Sequence, residues 1–292
     1  MKQILLLGMT LLSLGLYAQG VTTSSMQGLV EDDMETPLPG AHVVATHTPS
    51  GTTYQTSTNF DGKFFFPNLR VGGPYRVVVS FIGFDEQVYS DIMLGLGQSF
   101  NLKVEMKSGQ TLDEIIISSR RGITDPSKTG ASTNLSRKKI DALPTINRSI
   151  DDFTRLTPQS NGTSFAGTSS RFNNYTIDGN IYNNNFGLGS SQFAGGNPVS
   201  LDAIEEVQVN LAPFDVRTAG FTGASVNAVT KSGNNTFTGS AYYFLRNDQM
   251  TGDLVGDTRL NKDDARNEIK GVTLGGPIIK DKLFFFVSYE EE

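Results

Sequence analysis

Hydrophobic residues along this chain recur mostly at every second position, in short runs. In Phe100–Met106, Phe100, Leu102, Val104 and Met106 alternate with Asn101, Lys103, Glu105 and Lys107. A period of two places one side of a strand in a core and the other in water. Similar runs cover Gln27–Val30, Ala41–Thr46, Thr52–Thr58, Lys63–Phe66 and Tyr75–Phe81. Between them stand Pro37-Leu38-Pro39-Gly40 and Asn59-Phe60-Asp61-Gly62, the second a hairpin signal. Several short strands within about 80 residues predict a small β-sandwich.

From Ile123 to Ser232 the pattern changes. Ser136-Arg137-Lys138-Lys139-Ile140 reads as a short helix opened by a serine cap. A second helix is expected over Ser149–Leu156, with Ile150, Phe153 and Leu156 on one side, Asp151 and Asp152 in its first turn and Pro158 beyond its end. The stretch Arg171–Pro198 is polar and rich in Asn and aromatics, and loops this long are usually functional or disordered. Leu201–Val209 reads as helix passing into strand, and Ala224–Lys231 as a strand. After Ser232, Thr236–Arg246, Lys270–Gly275 and Leu283–Tyr289 alternate loosely and carry many aromatics, with a turn expected over Gly276–Lys282. Aromatic segments of about ten residues with weak alternation fit outer-membrane barrel strands. Alternation alone fits a soluble hairpin equally well.

Composition narrows the setting. Lys2 precedes an apolar run from Ile4 to Leu16 and then Tyr17-Ala18-Gln19, the layout of an export signal cut after Ala18. The run is shorter than the roughly 20 residues that span a bilayer. The 292 residues carry a net charge of −6 and no cysteine. An exported chain without disulfides must hold its domains by packing, and an acidic one lacks the basic face a nucleic acid requires.

Enzyme signatures are missing. His42 and His47 are the two histidines, and neither an HExxH pattern, a GxSxG elbow nor a P-loop occurs. Asp32-Asp33 and Asp263-Asp264 read as solvated turns rather than metal ligands. No catalytic residue, metal ligand or cofactor is expected.

One segment resists this reading. Thr111–Ser119 is TLDEIIISS, with Ile115, Ile116 and Ile117 consecutive between polar connectors. Three β-branched residues favour an extended chain, with apolar groups on both faces. It reads either as one more strand of the sandwich or as a strand offered to another protein.

Family resemblances bear on that choice. Gly28-Leu29-Val30-Glu31-Asp32, Pro37-Leu38-Pro39-Gly40-Ala41-His42-Val43, Thr58-Asn59-Phe60-Asp61-Gly62-Lys63-Phe64 and Tyr75–Phe84 resemble the carboxypeptidase-regulatory-like domain, a transthyretin-type sandwich that implies no peptidase activity. Tyr175-Thr176-Ile177-Asp178-Gly179, Leu201–Val209 and Gly223–Gly233 resemble the plug domain of TonB-dependent outer-membrane receptors. Leu274–Phe286 resembles the first periplasmic turn and third strand of Oar-like barrels. Pro213-Phe214-Asp215 departs from the R-G-P-like run of many siderophore receptors, so the likeness does not extend to a siderophore substrate.

The resemblance implies a mainly β chain: a small transthyretin-like β-sandwich, then an α/β plug domain, then the first strands of an incomplete outer-membrane β-barrel. The implied division is a signal peptide over residues 1–18, the sandwich over 20–108, a linker with the TonB box over 109–122, the plug over 123–232 and barrel strands over 233–292. About 60 residues follow Ser232, too few for a barrel of about 22 strands, so a truncated receptor is expected. Its place is the outer membrane, in contact with lipid, with plug and sandwich facing the periplasm. The implied partners are TonB with ExbB and ExbD, a polar substrate such as a peptide or glycan, and a surface lipoprotein. Leu112, Asp113, Glu114, Ile115, Ile116, Ile117 and Ser118 become the TonB-binding strand, left unpaired for TonB and held by main-chain hydrogen bonds. Tyr175, Asn180, Tyr182, Asn183, Phe186 and Phe193 become candidate substrate contacts on apical plug loops. The same loops would equally serve to pack against the barrel wall. The rival overall reading is a periplasmic or surface binding module that uses the sandwich alone.

Overall fold

The computed structural model describes residues 21–108, 115–118, 131–183, 197–212, 218, 220–250, 252, 254–256, 258–259 and 266–292. The signal-like segment, Phe186, Phe193 and Pro213-Phe214-Asp215 lie outside them.

The first unit is a β-sandwich. Strands β1 (Ser24–Asp32), β2 (His42–His47), β3 (Thr52–Ser57), β4 (Lys63–Leu69), β5 (Gly72–Ser80), β6 (Gln87–Leu94), β7 (Ser99–Met106) and β8 (Ile115–Ser118) form two sheets. One is ordered β4-β1-β7 and the other β3-β2-β5-β6-β8. Inward residues alternate as the period of two requires: Met26, Gly28 and Val30 on β1, Phe64 and Phe66 on β4, Leu102, Val104 and Met106 on β7. From the other sheet Val43, Ala45, Tyr75, Val77 and Val79 close the core. Strand β6 was not expected. Asp91 takes a left-handed φ of 60°, and the β5–β6 register shifts on either side of Tyr75. The irregularity breaks the alternation by which a strand is recognised.

The second unit is a five-stranded sheet ordered β13-β12-β15-β14-β9. Its strands are β9 (Ala131–Ser136), β12 (Asn174–Ile177), β13 (Asn180–Ile181), β14 (Ile204–Ala212) and β15 (Ser225–Thr230), with β10 (Ser160–Asn161) and β11 (Ser164–Phe165) as a small separate hairpin. Helices α1 (Arg137–Ala142) and α2 (Ile150–Thr154) cover one face. On that face Leu135, Tyr175, Ile177, Val207, Val209, Val226 and Ala228 pack with Ile140, Ile150 and Phe153. The opposite face is polar yet buried. Asn134, Gln208, Asn227 and Thr176 are neighbours in register across four strands. Both helices fall near their expected places, but α2 is shorter than Ser149–Leu156. Asp152 accepts from the amides of Ile146 at 3.0 Å and Asn147 at 2.8 Å, fastening the loop before the helix.

The third unit is an antiparallel meander of β16 (Thr238–Asn247), β19 (Arg266–Ile279) and β20 (Leu283–Glu291), with β17 (Leu254–Val255) and β18 (Thr258–Arg259) paired between the first two. The turn expected over Gly276–Lys282 is shorter. Strand β19 continues to Ile279, and the register shift between Pro277 and Ile279 accommodates a proline that lacks an amide donor.

Candidate functional site

Three arrangements bear on function, and the first is β8. Ile115–Ser118 runs parallel to β6, with Gln87 opposite Ile115 and Ser90 opposite Ser118. The expectation of an unpaired strand is corrected: its backbone is the outermost member of the larger sandwich sheet. A bare β6 edge would leave a row of amides and carbonyls open, and the Phe84–Ser108 bridge brings the chain to that edge. The outer side of β8 has no strand partner among the described residues. Leu112, Asp113 and Glu114 fall outside those residues.

The second arrangement concerns the plug loops, where the candidates separate. Tyr175 is 2% exposed and sits in the sheet's apolar core. Its hydroxyl donates to Asp151 at 3.3 Å, and burial raises both groups above their ordinary pKa values. It is therefore corrected from substrate contact to core residue. Asn183 is likewise committed, accepting from the Tyr175 amide at 2.7 Å and donating to Asn174 at 3.0 Å. Asn180 and Tyr182 are exposed. The Asp-Gly turn has a structural cause: Asp178 and Gly179 take φ of 49° and 81°, and the Asp178 carboxylate accepts from the Thr230 amide at 2.9 Å and hydroxyl at 2.7 Å.

The third arrangement is the meander, whose two faces differ. Ala241, Val272 and Tyr289 lie abreast on one, with Leu274 and Val287 beside them. Val272, Leu274, Val287, Tyr289 and Tyr243 are all exposed. The other face presents Ser240, Tyr242, Thr273, Ser288 and Glu290. Ser240 meets Thr273 at 2.7 Å, and Tyr242 donates to Glu290 at 2.7 Å. This face meets the plug. Ser200 bonds Ser288 at 2.9 Å, and Arg148 lies over the rings of Tyr242 and Phe244 at 4.6 and 4.0 Å while pairing with Asp202. The inward face also carries Phe244, Ile269 and Phe286, and the outward face ends in the Lys270–Glu291 pair at 3.2 Å. An exposed apolar band from Val272 to Leu274 and Val287 to Tyr289, bounded by charges, fits a barrel wall in lipid.

Where the three units meet, His47, Tyr54, Asn68, Arg70, Glu205 and Ser232 are among the residues lining a cavity of about 340 Å³. Arg70 donates to Ser232 and to the Gly233 carbonyl. His47 is 4% exposed, and its Nδ1 lies 2.6 Å from the Ser50 hydroxyl. Burial, with Arg70 adding repulsion, lowers its pKa to about 4. A histidine held neutral this way contributes stability that is complete above its unfolded value near 6.5 and is lost as pH falls toward 4. Urea unfolding should therefore show the wild type losing about 2 kcal/mol more than His47→Gln between pH 7 and pH 4.5. Equal losses would contradict the neutral, buried assignment. Among the described residues no group of three or more His, Cys, Asp or Glu is placed to hold a metal ion.

Residues 25–107 match the family described as carboxypeptidase regulatory-like domain, and residues 229–292 the family described as outer membrane beta barrel domain. The TonB-dependent transporter Oar of Myxococcus xanthus is 28% identical, over 88% of this chain and 26% of the relative. Over most of its length, then, the chain is similar to a TonB-dependent transporter. It spans about a quarter of the length of the curated relative it matches. The siderophore receptor PirA of Acinetobacter baumannii is a structural neighbour at a TM-score of 0.43 and 21% identity, over 55% of this chain and 24% of that one. A catechol 1,2-dioxygenase of Pseudomonas arvilla C-1 reaches 0.24 and 11%, over 32% and 54%. At such scores neither likeness bears on function.

Two joints between the units were not foreseen. Arg148 carried no motif, and its role depends on rings about 95 residues away in sequence. The other joint fastens the sandwich to the plug through the Leu96 carbonyl, which accepts from Asn134 at 3.0 Å and Gln208 at 2.6 Å. A weak signal for it existed: Glu206, Gln208 and Asn210 alternate with Val207 and Val209 in a strand whose polar face is also buried.

Proposed function

We propose that this chain serves TonB-driven uptake across the outer membrane, with TonB, ExbB and ExbD supplying the force and a polar substrate such as a peptide or glycan as cargo. The supporting observation is the meander, whose outward face holds an exposed apolar band while its mixed inward face rests on the plug. A soluble binding module has no use for Val272, Leu274 and Val287 in water. The 28% identical relative is itself described as a TonB-dependent transporter.

In this reading no covalent chemistry occurs. Substrate arrives from outside and reaches the plug near Asn180 and Tyr182. TonB then takes the Leu112–Ser118 strand by main-chain pairing, and the pull is passed to the plug through the connector to β9. A surface lipoprotein partner is compatible with this scheme.

The test lies in the wall. Leu274→Arg places a charge on the outward face and should cost about 2–4 kcal/mol if that face lies in mid-bilayer, against about 1 kcal/mol or less for Ser288→Arg on the inner face. The readout is the amount of folded receptor recovered in outer-membrane fractions. Equal recovery of the two variants would sink the membrane reading.

A further inference from the structure

At the end of the sandwich away from the plug, three large apolar side chains stand almost wholly in water. Met34 in the β1–β2 loop is 81% exposed, Phe60 in the β3–β4 turn 95% and Ile82 in the β5–β6 turn 94%. The loops gather there because Ser57, His42 and Ser80 lie abreast in the sheet, and because the Val30 amide donates to the Gly62 carbonyl at 2.9 Å. With neighbouring strands about 4.8 Å apart, the Phe60 and Ile82 turns stand on the order of 10 Å from each other.

These side chains are presented on built turns. Asp32 accepts from the amides of Met34 at 2.9 Å and Thr36 at 2.7 Å. Asn59 does the same for Asp61 at 3.0 Å and Lys63 at 2.9 Å. The Ile82 turn is closed by the Phe84 amide donating to the Phe81 carbonyl at 3.2 Å, with both rings packed on the core. Isolated exposed apolar residues are ordinary; here three stand as separate anchors on adjoining fixed loops. Around them Asp33, Glu35, Asp61 and Glu86 are exposed, against Lys63, Lys107 and Lys103, the last paired with Glu31 at 2.9 Å.

The strand read as the TonB box begins at this same end, with Ile115 opposite Gln87 directly after the Ile82 turn. We propose that the tip formed by Met34, Phe60 and Ile82 is a docking surface for the periplasmic domain of TonB, which meets it with an apolar socket ringed by Lys and Arg. The inference rests on the TonB reading of β8 and adds to it a second contact, one that uses side chains where β8 uses backbone. Preformed apolar anchors among acidic side chains provide orientation and a salt-sensitive association rate.

The purified periplasmic domain of the organism's own TonB is the probe, titrated into the full chain. The variant Met34→Ser/Phe60→Ser/Ile82→Ser should raise Kd about tenfold with an unchanged melting temperature. The variant Asp33→Asn/Glu35→Gln/Asp61→Asn/Glu86→Gln should flatten the dependence of Kd on salt. A Kd unmoved in both variants, with binding lost on deletion of Leu112–Ser118, would overturn the tip while leaving the strand reading intact. Absence of binding by the unaltered chain would overturn both.

Discussion

Deleting Leu112–Ser118 from the receptor should abolish energised uptake while leaving substrate binding at the cell surface unchanged. The expectation follows from how each contact is made. In the proposed function substrate meets the plug near the exposed Asn180 and Tyr182, outside the deleted strand. The deleted residues contribute the outermost sandwich strand, paired over four residues with β6. The described part of that strand is four residues at a sheet edge, so the protein should still fold and reach the membrane. What is lost is the backbone that an incoming strand would pair with. Measuring accumulation and surface binding separately, in energised cells, distinguishes the two effects. Uptake that survives the deletion would refute the assignment, and loss of both together would point to a folding defect.

A second large effect is expected at Gly28. A Cβ placed there would stand 2.1 Å from the Leu102 carbonyl and 2.5 Å from the Phe64 ring. Gly28 faces inward between β4 and β7, and its missing side chain is the space Phe64 occupies. The carbonyl belongs to a paired backbone and cannot retreat without breaking the β1–β7 ladder. Gly28→Val should therefore cost at least about 3 kcal/mol, at the upper end for overpacked cores. Against a typical domain stability of about 5–15 kcal/mol, that removes a large share of the margin while leaving a folded population to measure. A urea transition moved to lower concentration, with the slope preserved, is the expected readout. A transition that did not move would mean the two sheets have more room than the distances imply.

Much of this architecture was legible because alternation reports directly on burial. The strand Phe100–Met106 and the hairpin at Asn59–Gly62 appear where their patterns put them. The Leu201–Val209 pattern resolves into a short 3-10 turn over Leu201–Ala203 followed by β14. Two departures from the pattern share a cause. Strand β6 hides behind the left-handed Asp91, and the end of β19 behind Pro277, since both interrupt a period of two. Tyr175 looked like a ligand contact because it sits in an Asn-rich aromatic stretch. Composition, however, does not say which side of a strand a residue takes. The two-sided apolar character of Ile115–Ile117 pointed to a strand but not to its neighbour, because register along a sheet edge is decided by tertiary contacts.

The polar face of the plug sheet has a consequence for how the receptor comes apart. Gln208 and Asn134 meet the sandwich at the Leu96 carbonyl and at Gln98 through amide groups, not through methyl groups, and Glu206 accepts from Asn134 behind them. If the sandwich were drawn away, water would take over those hydrogen bonds at little net cost, and no apolar core would be opened. The seam between the two units is thus a place where load can part the molecule while each half keeps its fold, a perforation line drawn in side-chain chemistry.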